Sequence, residues 1–180
     1  KVSTLNPQFA SLIVEMLMDM GVKGGDTIAA SITGSYPGAN LAFFAAIKSM
    51  DVYPVLISSV GSSSFGATDI DFTWLDMHDY LVEKGQISFL NSGISIGGVN
   101  DLGSDFSDET IKFLINAANN HSDKNKVKFL YHTGSNLQNQ VDLRYNLYEE
   151  LKPANGFSAF VNIGGGSASI GLESTLKPGI

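Results

Sequence analysis

The sequence predicts an α/β fold, a mainly parallel sheet of about five strands with helices on both faces in a Rossmann-like three-layer arrangement. Three observations carry that expectation. Apolar, β-branched runs alternate with segments of helical periodicity at least four times along the chain. No Asn-Gly-type hairpin signal joins two alternating runs, so crossovers rather than tight turns link the strands. Clusters of Gly, Ser and Thr follow the apolar runs directly, where βα turns belong.

The elements follow in order. Asn6-Pro7 opens a helix, because Pro at the first helical position is pre-set for it. Phe9, Leu12, Ile13, Met16, Leu17 and Met20 then recur at helical spacing, and Gly21 ends the run. Thr27–Ile32 is the first buried strand. A helix over 40–50 follows, with Leu41, Phe44, Ala45 and Ile47 expected inward. Tyr53–Ser59, rich in Val and Ile, is the second strand. A helix near 73–84 puts Trp74, Met77, Leu81 and His78 on one face. Ile87–Leu90 is read as a short third strand before the Gly-rich stretch Gly93–Gly103. Ser107 opens a helix to Asn120, Val127–Tyr131 is a strand, 136–151 a helix, and Phe157–Ile163 the last strand.

Composition narrows the function. The 180 residues carry a net charge of −7, from 18 acidic and 11 basic side chains, and Arg144 is the only arginine. Nucleic-acid binding is disfavoured, since phosphate contacts need clustered Lys and Arg. There is no cysteine, which excludes disulfides and thiolate-bound metals. No run of 18 or more apolar residues occurs, so no membrane span is expected within this chain. Residues 1–180 read as a single domain, and the abrupt ends suggest a fragment of a longer protein.

Four clusters at strand ends, 33–40, 58–67, 133–136 and 164–167, should meet at one edge of a parallel sheet, where such folds bind ligands. Small residues let backbone N–H groups approach an anion closely. The candidate ligand-binding residues are therefore Gly34, Ser35, Gly38, Ser62, Ser63, Gly66, Gly134, Gly164 and Gly165. Arg144 joins them: Leu137, Val141, Arg144, Tyr148 and Leu151 share a helical stripe, which puts the guanidinium on or beside an apolar face. It would grip a ligand carboxylate or a structural one, or pack its stem and reach water. No cluster has the Lys of a P-loop or the spacing of a dinucleotide fingerprint, and tight βα turns alone also explain Gly and Ser here.

Catalysis would need a serine among Ser35, Ser62, Ser63 and Ser64, with His132 as base, since it alone of the histidines ends a strand beside such a cluster. The candidate catalytic pair is Ser35 and His132. His78 is expected to pack and His121 to be solvated. No cofactor is evident. A divalent cation could be held by Asp69, Asp71 and Asp101, against the simpler reading that such residues cap helices and make turns.

Six stretches in order carry a family resemblance: Gly24-Gly-Asp-Thr-Ile-Ala29, Thr33-Gly-Ser-Tyr-Pro-Gly-Ala-Asn40, the Ser58–Ala67 loop, Thr73-Trp-Leu-Asp-Met77, Ser95-Ile-Gly-Gly98 and Val161-Asn-Ile-Gly-Gly-Gly166. Together they resemble the poly-gamma-glutamate system proteins, encoded beside the bacterial machinery that makes and exports poly-γ-glutamate. The resemblance implies that this chain is the central part of a longer protein with an N-terminal anchor. It also implies a role in capsule biosynthesis on the extracytoplasmic side of the membrane, with poly-γ-glutamate or other capsule-system proteins as partners. It brings no catalytic residues with it. Two expectations follow: an accessory protein binding an anionic ligand at the Gly/Ser-rich loops, or a serine- or metal-dependent hydrolase or transferase acting on γ-glutamyl polymer.

Overall fold

The computed structural model describes residues 3–63 and 66–170. Five parallel strands form one sheet: β1 (Thr27–Thr33), β2 (Tyr53–Ser59), β3 (Gly93–Ser95), β4 (Lys128–Phe129) and β5 (Phe160–Ile163). Their order is β4-β3-β2-β1-β5. The helices are α1 (Gln8–Asp19), α2 (Pro37–Ser49), α3 (Trp74–Glu83), α4 (Asp108–Asn125), α5 (Leu137–Leu151) and α6 (Ser167–Ile170). The expected α/β architecture is therefore present, with every strand pair parallel.

Burial along β2 separates the layers. Leu56 packs into the large core with Leu17 of α1, Phe43 and Phe44 of α2, Trp74 of α3 and Leu114 of α4. Its neighbour Ile57 packs on the opposite face with Leu130 and with Leu147 of α5. Strand side chains alternate between faces, so this split is the period of two made visible. It also obeys handedness: the chain steps β1 to β4 in one direction with its helices on one face, then returns to β5 through α5 on the other. Trp74 and Phe43 are fully buried, and each such side chain contributes roughly 1.5–3 kcal/mol by leaving water.

The local signals act as their chemistry requires. Thr73 caps α3: its hydroxyl accepts from Asp76 N–H, and Asp76 accepts in return from Thr73 N–H at 2.7 Å. Ser107 caps α4 and Asn136 caps α5 through their side-chain oxygens.

Four expectations are corrected. The third strand is Gly93–Ser95, not Ile87–Leu90. Gly93 lies under α5, where a β-carbon would meet Leu147 Cδ2 at 2.5 Å, so a strand that must lie there cannot carry a bulky residue. The helix after β1 starts at Pro37, and Leu41 and Ala45 point outward while Phe43 and Ala46 pack inward. That helix is apolar on nearly every side, so no stripe fixes its rotation. β4 is only two residues long. His121 is buried rather than solvated, 6 % exposed. The mixed Asn-Asn-His-Ser sequence belongs to a helix that runs on to Asn125, and one face of it packs.

Candidate functional site

The strand order reverses at β1: the chain leaves β1 toward β2, and β5 returns on its other side. At such a switch point the loops diverge and leave a crevice beyond the carboxyl ends of the strands. A cleft of about 740 Å³ occupies that position, lined from β1 by Thr33 and Ser35, from β2 by Ser59, Ser62 and Ser63, and from β5 by Gly165 and Ser167. The segment after β3 closes it with Gly98, Asp101, Asp105 and Phe106.

The loops after β1 and β2 are locked together. Gly34 N–H donates to Ser59 O at 3.1 Å, Ala67 N–H to Gly34 O at 2.7 Å, and Ser63 N–H to Ser35 Oγ at 3.0 Å. Ser62 Oγ donates to Ala67 O at 3.0 Å. A β-carbon on Gly66 would sit 2.4 Å from Gly34 O and 2.6 Å from Ser35 Cα. Gly34 and Gly66 are therefore small so that the two loops can touch. Gly38 is small for another reason, its contact with Thr4 and Leu5 beside α2.

The turn after β5 is different. Gly164 has φ +136°, which glycine alone adopts easily, and a β-carbon there would strike Thr33. Gly165 faces open space. The N–H groups of Gly165, Gly166 and Ser167 have no partner among the described residues. These residues line the cleft together with Thr33, Ser35 and Ser63.

Beneath the cleft lies a buried polar network that the sequence showed only in part. Ser31 of β1, Ser59 of β2 and Ser95 of β3 share the sheet face under α5, and all are at most 3 % exposed. Arg144 of α5, 4 % exposed, spans them. Its Nη1 donates to Ser31 Oγ at 3.0 Å, and its Nη2 to Ser95 Oγ at 2.7 Å and Ser59 Oγ at 3.1 Å. Its Nε donates to Asp101 Oδ2 at 2.9 Å, with Nη2 also 2.9 Å from that oxygen. Ser95 gives its proton to Asp101 Oδ1 at 2.8 Å, which leaves Ser59 to donate to Ser95 at 2.9 Å. The stripe containing Arg144 leaves two readings, a guanidinium gripping a ligand or structural carboxylate, or a stem that packs and reaches water; the structure shows a structural carboxylate. The gripped group is Asp101, a residue of the chain itself.

The remaining candidates are dispersed. His132 is exposed in a separate depression with Thr133, Gly134, Ser135 and Asn139 beyond β4. β4 is three strands from β1, roughly 14 Å by strand spacing. Ser35 and His132 are not brought together. No histidine or lysine lines the cleft among the described residues, so its serines have no imidazole or amine base there. Ser64 lies outside the described residues. Asp69 accepts from Asp71 N–H at 2.9 Å, a turn bond. Asp71 lines a groove between α3 and α4 with Asp79 and Lys124, while Asp101 is under the cleft with both oxygens engaged. No group of three or more His, Asp or Glu able to hold a metal ion occurs among the described residues.

A second buried network lies on the other face. Ser58 donates to Asn91 Oδ1 at 2.5 Å, and Asn91 Nδ2 lies 3.3 Å from His121 Nε2 and 3.5 Å from His78 Nδ1. Burial pushes the His78 imidazole down to about 4, with His121 adding to the effect. Burial also lowers His121, although Asp79 beside it pulls the other way. Burial thus disfavours the charged form of both rings, which sit in a hydrogen-bonded network with Asn91.

Comparison with protein-family models, with curated proteins and with solved structures finds no match for this chain.

Proposed function

We propose that the chain is a non-catalytic binding module of the poly-γ-glutamate system, taking a carboxylate-bearing ligand at the β1/β5 cleft. The observation that carries the reading is the turn after β5. Three successive N–H groups, at Gly165, Gly166 and Ser167, are unpartnered among the described residues and line a crevice at the switch point. Unpaired donors on small residues suit an anionic oxygen. The hydroxyls of Thr33, Ser35 and Ser63, which line the same cleft, supply further donors. The identity of the ligand rests on the resemblance of the ordered motifs to the poly-gamma-glutamate system proteins. Binding is favoured over hydrolysis because His132 lies elsewhere and both cleft carboxylates are engaged. Asp101 is held by Arg144, and Asp105 accepts from Val99 N–H at 2.6 Å.

Calorimetric titration with γ-glutamyl oligomers tests the reading. Heat that saturates with the oligomer, and is absent with the corresponding γ-glutamine amide, is expected. Absence of heat at millimolar oligomer would overturn it.

A further inference from the structure

We infer that Arg144 with Ser31, Ser59 and Ser95 forms a carboxylate subsite at the floor of the cleft, and that Asp101 is its internal occupant, exchangeable for a ligand carboxylate. The inference takes from the reading above only the class of ligand.

The two halves of the Arg144–Asp101 pair are held very differently. Three serines on three adjacent strands hold the guanidinium through Nη1 and Nη2, and Asp101 adds its contacts at Nε and Nη2. These strands are the interior of the sheet, β1, β2 and β3. Asp101, by contrast, belongs to a three-residue 3-10 segment between glycines. Its own φ is +61° and that of Asn100 is +58°. Asn and Asp are the non-glycine residues that adopt the left-handed region most readily. Gly97, Gly98 and Gly103 around them also have positive φ, and the segment is held by turn bonds, Asp101 N–H to Gly98 O at 3.1 Å and Gly103 N–H to Gly97 O at 2.9 Å, rather than by the sheet ladder. The rigid partner is the arginine and the replaceable one is the aspartate.

Asp101 presents what a bound carboxylate would present. One oxygen takes Nε and Nη2 together, and the other takes the Ser95 hydroxyl. It also lines the cleft, so the subsite adjoins open volume. Arg144 is the only arginine, and no Lys or His lines the cleft among the described residues. A carboxylate entering there has one cation to reach, and Asp101 stands on it.

Uniform sequence chemistry makes the test direct. Labelling arginine with ¹⁵N gives a single Nε–H signal, from Arg144. The probe is glutarate, with uncharged glutaramide as control, on the full chain and on Asp101→Ala. In the variant, glutarate is expected to move the Arg144 signal saturably and to raise Tm, with an affinity on the order of tenfold above wild type. Adding Arg144→Gln to the variant should abolish the rise in Tm, and glutaramide should do nothing. An unmoved signal in the folded variant overturns the inference. So does wild type binding glutarate as tightly as the variant, since Asp101 would then not compete. Should Asp101→Ala fail to fold, Asp101→Asn keeps the shape, removes the charge and is held to the same two outcomes. The variant's response to glutarate stands or falls separately from binding of the polymer by wild type, so the two failures are distinguishable.

Discussion

Among single residues, Arg144 carries the most. A buried ion pair is weak evidence of net stability, because desolvation of both charges offsets their attraction. Breaking it from one side is costly, since a lone charge stays behind. Arg144→Met should therefore lower stability by about 3–5 kcal/mol, read as a lower urea midpoint. Pairing it with Asp101→Asn should recover much of that loss; a double variant no better than the single one would show that Arg144 acts through the serines alone. His78 gives a second expectation. Its folded pKa is about 4 against an ordinary 6.5. The unfolded chain thus binds more protons between those values. Stability should be full above pH 6.5 and fall as pH drops toward 4, by about 3 kcal/mol for this group. His78→Phe should flatten that slope in pH-dependent denaturation. An unchanged slope would place the protonation elsewhere.

At the scale of elements, glycines of similar sequence context do different jobs. Gly66→Ala drives a methyl into Gly34 O and Ser35 Cα, both backbone atoms that cannot rotate away. It should cost about 1–3 kcal/mol in thermal or urea denaturation. Gly165→Ala meets no atom within 4 Å, so stability should stay within about 0.5 kcal/mol. Gly165 lines the proposed site, and if its N–H binds the ligand, affinity should drop on this substitution. Equal affinity in wild type and Gly165→Ala would move the ligand away from this turn. The same contrast explains what the sequence made legible. β1 and β2 are readable nearly to the residue because each carries an apolar run, Ile-Ala-Ala in β1 and Val-Leu-Ile in β2. β3 was not, because its Gly and Ser are there for α5: Gly93 clears Leu147 and Ser95 meets Arg144. Residues chosen by a tertiary partner carry no local strand signal. Likewise the stripe on α5 exposed the importance of Arg144, whereas Ser31, Ser59 and Ser95 looked like ordinary strand and loop serines until the strands were placed side by side.

For the whole molecule, net charge and local site pull in opposite directions. A chain of charge −7 repels a polyanion at long range, yet the cleft offers unpartnered backbone N–H groups at short range. Affinity for a γ-glutamyl oligomer should therefore hold steady or rise as salt screens the repulsion, and a steep loss with salt would point to a basic surface instead. The topology places the cleft where β1 and β5 diverge, and the four strand-end clusters do share one edge of the sheet. Position along that edge decided which of them meet: the clusters after β1, β2 and β5 line the cleft, while the one after β4 lies at the far side with His132. The most direct test is titration of γ-glutamyl oligomers into the ¹⁵N-labelled chain, following backbone amides. Saturable shifts at Gly165, Gly166 and Ser167, with those around His132 unmoved, are the expected result. Shifts confined to other surfaces, or none at millimolar oligomer, would contradict the assignment of this cleft as the binding site.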